Sequence, residues 1–309
     1  LIYTCTMNPA IDMYVEVDEL KANTVNRTND EDYQANGKGI NVSIMLKKFG
    51  IDSTALGFIA GFTGKYIKDS LSEINIQSDF VYCDGTTRIN VFLNAESEYK
   101  IVNQGPYINL PEQEEILSKI KAIPSGSTLI VSGSLPRGVP ESIIIDISRI
   151  CQENDVKFVL DTSANSLLDT LKHEPYLLKP NEEELADLYN EADSLSEQKI
   201  IKYGKDLLNK GAQQVIVSRG DEGSIYFSEE HLLKTTAPQG TVVNTACSGD
   251  AMLSAFMAKR SQNETIENAL SYASAVGAST AFSRGLSDLK DIATLQKEIK
   301  VYQIKEEIK

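Results

Sequence analysis

Apolar positions along the chain fall into two rhythms. Short runs of β-branched and aliphatic residues, clearest at Thr128–Ser132, 157–160 and Gln214–Ser218, have the length and continuity of strands buried on both faces. Around them a helical period predicts helices at 38–49, 64–74, 141–154, 197–210, 250–259 and 265–282, with Gly211 standing where a helix stops. Residues 1–6 are β-rich and predict an opening strand. This alternation is what a mostly parallel sheet joined by crossover helices requires, so the fold class is α/β.

Two stretches, 12–29 and 87–103, break the rhythm. Each carries strand-like alternation (Tyr14, Val15 and Val17; Ile89, Val91 and Leu93; Tyr99 and Ile101) and neither carries a helix. They are expected to pair with each other as a small β-sheet lid. The lid would be a discontinuous excursion from a core made of 1–11, 30–86 and 104–309.

Composition narrows the class. The 309 residues are 41% apolar and 24% charged, which sets aside collagen-like and disordered chains. No run reaches the roughly 18 apolar residues of a membrane span, and the first residues lack a basic leader-like segment. Cys5, Cys83, Cys151 and Cys247 lie far apart with no CxxC pairing, as suits a reducing compartment, so a cytoplasmic location is expected. With His173 and His231 as the only histidines, zinc hydrolases and histidine-based triads are poor fits. Asp+Glu 44 against Lys+Arg 30 gives a net charge of -14, which repels a nucleic-acid backbone and argues against that partner. Any phosphate site must therefore be locally basic or built from backbone amides.

Candidate chemistry starts at 241–256, read as a strand, a tight turn of small residues and a helix. Unpaired N–H groups and the macrodipole make a helix N-terminus an anion site, and Cys247, Ser248 and Gly249 stand there. Asp250 in the first turn reads two ways. It is an N-cap contributing about 1 kcal/mol, or a general base that takes a proton from a hydroxyl while those amides hold a phosphoryl group. The run NGKGIN at 36–41 sets Lys38 between glycines, either as a solvated connection or as a turn that lets Lys38 reach a sugar or phosphate. It does not have the GxxxxGK[ST] spacing, and no GxGxxG follows a strand, so P-loop and Rossmann assignments lose their support. Asp12 in NPAID either starts a turn or accepts bonds from sugar hydroxyls. Arg88 and Asn90 share one face of a strand, at the surface or toward substrate. Ser134 and Arg137 follow a buried strand at the end where open α/β sheets place ligands, although an ordinary loop has the same composition. Asn181 and Glu184 in KPNEEE lie one helical turn apart, suited to a helix dipole or to a hydrated Mg²⁺. The run from Ser218 to Gly223 is a hairpin turn or one wall of a nucleotide pocket.

Taken in order, TMNPAID, NGKGINV, TRINV, SGSLPRG, KPNEEE, SRGDEG and NTACSGD cover nearly the whole chain and together resemble the phosphofructokinase-B branch of the ribokinase family of sugar kinases. The resemblance implies a ribokinase-like three-layer sandwich with a β-sheet lid, ATP and Mg²⁺ as cofactors, a small sugar phosphate as substrate, and a homodimer formed through the lid. It implies Asp250 as the base, with the amides around Ser248 and Gly249 as the anion hole. Asn181 and Glu184 take the Mg²⁺-linked positions. Asp12, Gly37, Lys38, Asn41, Arg88, Asn90, Ser134 and Arg137 take the sugar-phosphate side. Lys179, Asn181, Ser218, Gly220 and Gly223 take the ATP side, with Ala275 and Ser279 near the adenine. GFTGKYIK, TRINV and NQGP are most similar to the branch that phosphorylates fructose 1-phosphate at O6 to the 1,6-bisphosphate. Kinases of tagatose 6-phosphate or fructose 6-phosphate are the alternative, and a degenerate sugar-phosphate-binding protein is the non-enzymatic one.

Three residues depart from the family pattern. Cys247 and Asn36 stand where the family usually has glycine, and Arg219 where it has an aliphatic residue. A cysteine at a position of positive φ is strained, so Cys247 bears directly on the shape of the anion hole.

Overall fold

In the computed structural model, which describes residues 1–162 and 166–304, the chain runs from β1 (Ile2–Thr6) through β2 (Ala10–Glu16) and β3 (Asp30–Asn36) to α1 (Lys38–Lys48), β4 (Ser53–Ala60) and α2 (Gly61–Glu73). Short β5 (Gln77–Ser78) and β6 (Val81–Cys83) precede β7 (Arg88–Asn94), β8 (Glu98–Ile101) and α3 (Leu110–Lys121). Then come β9 (Thr128–Ser132), α4 (Ser142–Glu153), β10 (Lys157–Asp161), α5 (Leu167–Thr170), β11 (Leu177–Leu178), α6 (Glu182–Leu188), α7 (Glu197–Asn209) and β12 (Gln214–Ser218). The last elements are β13 (Ser224–Ser228), β14 (Leu232–Thr235), α8 (Ser248–Ser261), α9 (Ile266–Ala281), α10 (Ile292–Glu298) and β15 (Val301–Gln303).

The main sheet has the order β15-β14-β13-β12-β11-β10-β9-β1-β4-β5, with β6 also on β4. From β12 to β5 its neighbours are parallel, and β13, β14 and β15 extend it antiparallel at one edge. The continuous apolar runs are two-sided because the sheet is covered on both faces. Leu129, Val131, Phe158, Leu160, Val215 and Val217 pack into the core shared with α3, α4 and α7. Ile130, Val159 and Ile216 face the opposite core, formed with α1, α8 and α9. Local signals set the helix ends. Ser196 and Thr265 accept from the amides of Lys199 and Asn268 as N-caps. Gly211 follows α7 with φ 128, where any Cβ would meet the Leu171 carbonyl at 2.1 Å.

A second sheet, β3-β2-β7-β8, stands apart from the first. β2 and β7 are parallel in a register that sets Asp12 opposite Asn90. Its outermost strand departs from expectation: Asp30–Asn36 was assigned to the core, yet it pairs antiparallel with β2. The segment DEDYQAN is polar and mostly exposed, so no apolar alternation announces it, and backbone pairing alone makes it a strand. The strand expected at the start of 241–256 does not form. Val242 and Val243 are exposed, and the amides of Val243 and Asn244 bond the Ala281 carbonyl at the end of α9 in place of a strand neighbour. α2 begins at Gly61, three residues before the predicted start at 64. Residues 163–165 and 305–309, assigned to the core from sequence, lie outside the described residues. Among the described residues no helix is long and apolar enough to cross a membrane.

Gly57 sits where β4 crosses closest to β1: with φ 144, a Cβ there would lie 2.0 Å from the Thr6 carbonyl oxygen. Gly57→Ala is expected to destabilise the chain by at least about 2 kcal/mol. Urea unfolding should show a lower midpoint with an unchanged slope, and a native midpoint would contradict this packing.

Candidate active site

The first turn of α8 is built around a strained residue. Cys247 has φ 64, the left-handed conformation that favours glycine, and it caps the helix with no side-chain bond to the helix amides. The chain thus holds a cysteine in a glycine conformation. In the first turn the Ser248 amide contacts the Thr245 carbonyl at 3.3 Å, and the Ala251 amide bonds the Cys247 carbonyl at 2.9 Å. Among the described residues, the amides of Gly249 and Asp250 have no acceptor, and neither does the buried Ser248 Oγ. The Cys247 amide likewise has no acceptor among the described residues, so the free donors of this turn are those of Cys247, Gly249 and Asp250, with the Ser248 amide held only at 3.3 Å. Gly249 also lies close to Lys179: a Cβ there would stand 3.2 Å from its Nζ.

Asp250 is 4% exposed. Its Oδ2 accepts from Asn41 Nδ2 at 2.9 Å. Burial, followed by the charge of Asp161, pushes its carboxyl up to about 7, while the Asn41 bond and the charges of Lys38 and Lys179 hold it down. Asp161 is a site residue that the sequence reading missed. It is buried at the C-terminal end of β10, with Oδ1 at 3.4 Å from Lys179 Nζ and 3.5 Å from Lys38 Nζ, and with Oδ2 unpartnered. The available signal was its place at the end of a parallel strand, the edge where α/β sheets bind ligands. Lys38 also lies 3.6 Å from Glu184 Oε1. Desolvation works against its charge, but Asp161, Glu184 and Asp250 outweigh it and keep Lys38 protonated.

An open cleft of about 370 Å³ lies between the two sheets. Its walls include Asp12, Asn36, Gly37, Lys38, Arg88, Asn90, Ser134 and Glu184. Asp12 sits within β2, where Asn90 Nδ2 donates to Oδ1 at 2.8 Å and Asn36 Nδ2 to Oδ2 at 2.6 Å. Burial pushes its carboxyl up, against the Asn90 bond and the Arg88 charge. Arg88 is held by the carbonyls of Asn8 at 2.8 Å and Asn103 at 3.2 Å, and its Nε is buried without a partner. Arg137 does not join this group. It is exposed, and its guanidinium clasps the Gly105 carbonyl at 2.6 and 3.1 Å, tying down the loop before α3. Asn36 has an ordinary strand backbone, so the tolerance of asparagine for positive φ plays no part; what it contributes is its side chain.

Asn181 and Glu184 close a capping box on α6: Glu184 N donates to Asn181 Oδ1 at 2.7 Å, and Asn181 N to Glu184 Oε2 at 2.9 Å. Asn181 Oδ1 thereby already accepts one hydrogen bond. Glu184 Oε1 and the orphaned Asp161 Oδ2 have free lone pairs, which suits a hydrated Mg²⁺ held by few carboxylates and by substrate phosphates. Among the described residues, no three His, Cys, Asp or Glu side chains gather as a metal cage.

On the remaining side, Ser218 pairs across to Asn181 at the end of β12, which brings the KPN and SRG motifs together. Gly223 has φ 83, and a Cβ there would strike the Thr235 carbonyl at 2.1 Å, so its place is fixed by the β12–β13 connection; around Gly220, φ 56, space is open. Ala275 and Ser279 are not at a surface. Both are buried, Ser279 Oγ bonds Ser287 and Asp291, and the neighbouring Gly277 lets α9 approach α8, so these small residues serve helix packing. Arg219, whose side chain is 4% exposed, binds Glu182 at 3.2 Å, Glu197 at 3.1 Å and also Glu222. This links the first turns of α6 and α7 to the turn after β12.

The pfkB family carbohydrate kinase model matches residues 5–292. A D-tagatose-1-phosphate kinase from Bacillus licheniformis is 50% identical over 97% of this chain and 99% of its own length. A 1-phosphofructokinase from Bacillus subtilis is 35% identical over 98% of this chain and 100% of its own. Phosphofructokinase-2 from Escherichia coli, solved in complex with substrates and products, superposes with a TM-score of 0.88 at 25% identity, covering 96% of this chain and 98% of that one. With the cleft, the buried carboxylates and the free amides of α8 in the order that the motifs require, the chain belongs to the pfkB family of carbohydrate kinases and is an ATP-dependent sugar-phosphate kinase of ribokinase-like fold.

Proposed function

We propose that the chain transfers the γ-phosphoryl group of ATP to O6 of a ketohexose 1-phosphate, giving the 1,6-bisphosphate. The observation that carries this reading is the buried Asp250 carboxylate at the head of α8, beside the unpaired amides of Gly249 and Asp250 and the ammonium of Lys179. Asp250 accepts the proton of the attacking hydroxyl. The amides and Lys179 take up charge on the transferring group, which is the larger share of the work in phosphoryl transfer. Asp12 and Asn90 receive sugar hydroxyls, and Arg88 and Lys38 supply the local positive charge that an acidic chain otherwise lacks. Mg²⁺, when bound, neutralises phosphate charge, and Glu184 with Asp161 would hold it through its waters.

The names of the two relatives support the 1-phosphate. Tagatose and fructose 1-phosphates differ only in configuration at C4. The relative at 50% identity favours tagatose 1-phosphate, and the motifs together with the relative at 35% favour fructose 1-phosphate. Tagatose 1-phosphate is placed first and fructose 1-phosphate second. A homodimer formed through the lid belongs to the same reading: Tyr33 on one outer lid strand and Tyr99 and Ile101 on the other are exposed. So does a cytoplasmic setting, with all four cysteines unpaired.

Three outcomes follow. Assayed with ATP, both 1-phosphates are expected to be turned over and the ketohexose 6-phosphates to be poor substrates; a clear 6-phosphate preference overturns the orientation, and saturable sugar-phosphate binding without turnover would favour the degenerate binder. Asp250→Asn should lower kcat by at least about 10²-fold with the sugar-phosphate KM largely kept. Since the base must be ionised and its carboxyl is pushed up to about 7, kcat should rise with pH through that region. A rate that is flat down to the ordinary aspartate range would remove Asp250 from this role.

A further inference from the structure

We infer that Asn36 is a positioning residue that couples the sugar-facing carboxylate of Asp12 to the catalytic base Asp250, an inference that rests on the kinase reading above. One side chain spans the two. Asn36 Nδ2 donates to Asp12 Oδ2 at 2.6 Å, and Asn36 Oδ1 accepts from Asn41 Nδ2 at 3.1 Å and from the Gly37 amide at 2.5 Å. Asn41 Nδ2 then donates to Asp250 Oδ2 at 2.9 Å. The result is a continuous path Asn90–Asp12–Asn36–Asn41–Asp250 that runs from the lid strand β7 to the head of α8.

The crowding at Asn41 gives the path its leverage. An amide nitrogen carries two hydrogens, but three acceptors surround Asn41 Nδ2: Asn36 Oδ1, Asp250 Oδ2 and Cys247 Sγ at 3.2 Å. Two hydrogens serve Asn36 and Asp250 together only while Cys247 Sγ receives none, so a change at Asn36 alters how Asn41 is shared between Asp250 and the thiol. Ligand hydroxyls that reorient Asp12 pull on Asn36 Nδ2, rotate the Asn36 amide and change how fully Asn41 serves the base. The other groups facing Asp250 are Lys38 from α1, Asp161 from β10, Lys179 after β11, and the Cys247 thiol. Of these, the Cys247 thiol also touches the path at Asn36 and Asn41, and no side-chain hydrogen bond joins any of them to Asp12 directly. Asn36 lies at the junction of β3 and α1, with a strand backbone that an alanine or aspartate also adopts.

The test uses the full chain with ATP and the preferred sugar phosphate, comparing native protein, Asn36→Ala and Asn36→Asp. Asn36→Ala removes a donor to Asp12 and an acceptor from Asn41. It should raise the sugar-phosphate KM about tenfold, as loss of a hydrogen bond to a charged group does, and leave the KM for ATP near native. It should also move the acid limb of kcat to lower pH, because Asn41 then serves Asp250 more fully. Asn36→Asp keeps the shape but adds negative charge; it should raise the same KM and move the limb to higher pH. Opposite displacements by two variants at one position are not produced by general loosening of the fold. A sugar-phosphate KM within about twofold of native with an unmoved limb, or displacement in the same direction by both variants, overturns the inference alone. A native chain that turns over no sugar phosphate overturns the kinase reading and this inference with it.

Discussion

Taking a carboxylate out of water costs several kcal/mol unless charges and donors are arranged around it, and Asp250 is almost wholly buried. Most of the architecture near it answers that cost. α1 delivers Asn41 and Lys38, the segment after β11 delivers Lys179, and α8 itself presents its positive end. These groups come from distant parts of the chain: α1 follows β3 of the lid sheet, Lys179 follows β11 of the main sheet, and α8 follows the segment after β14. The compensation is incomplete by design, since Asp161 stands close by with the same sign of charge. The result is a carboxyl pushed up to about 7, where it takes up and gives up a proton near neutrality.

The same economy of charge recurs nearby. Asp161 holds Lys38 and Lys179 at 3.5 and 3.4 Å, so one buried carboxylate draws two ammonium groups together. Arg219 gathers Glu182, Glu197 and Glu222, and Lys234 joins at Glu197. Where an aliphatic side chain would fill space, this chain uses a buried guanidinium to tie two helix starts to the turn after β12. The strained Cys247 is quieter than its position suggests. Burial, with the charges of Asp250 and Asp12 behind it, pushes its thiol up to about 12, so it sits as a neutral wall against Asn41 and not as a nucleophile.

Much of this was legible in the order of residues, for reasons that differ by element. The two-sided strands β9, β10 and β12 and the helices α1, α4, α7 and α9 were readable because burial on one or both faces imposes a period. Asp250, Asp12, Lys38 and Asn90 stood out because each sits in a dense polar or small-residue run. β3 was invisible because a polar edge strand is made by its partner's backbone, and the Val242–Val243 pair misled because β-branched residues need a neighbour before they form a strand. Asp161 is one of 44 acidic residues, and nothing in KFVLD distinguishes a buried ligand for two lysines from the end of a strand. The carboxylates of Glu182 and Glu197 around Arg219, and the links from Asn36 to Asp12 and from Asn41 to Asp250, span tens to hundreds of residues, which no local pattern encodes.

The lid has a consequence for the way the chain acquires its activity. β2 and β7 touch along their whole length, yet Asp12 and Asn90 are separated by 78 positions in the chain. Between them lie β3, which joins the same lid sheet, α1, which brings Lys38 to the cleft, and β4, α2, β5 and β6. Contacts of such long sequence separation carry a large closure entropy and form slowly. The surroundings of Asp250 close over longer loops still, with Asn41 and Asp250 209 positions apart and Lys38 and Asp161 123 apart. A chain emerging from its N-terminus has every strand of the lid, from Ala10 to Ile101, before Asp250 is made to face it.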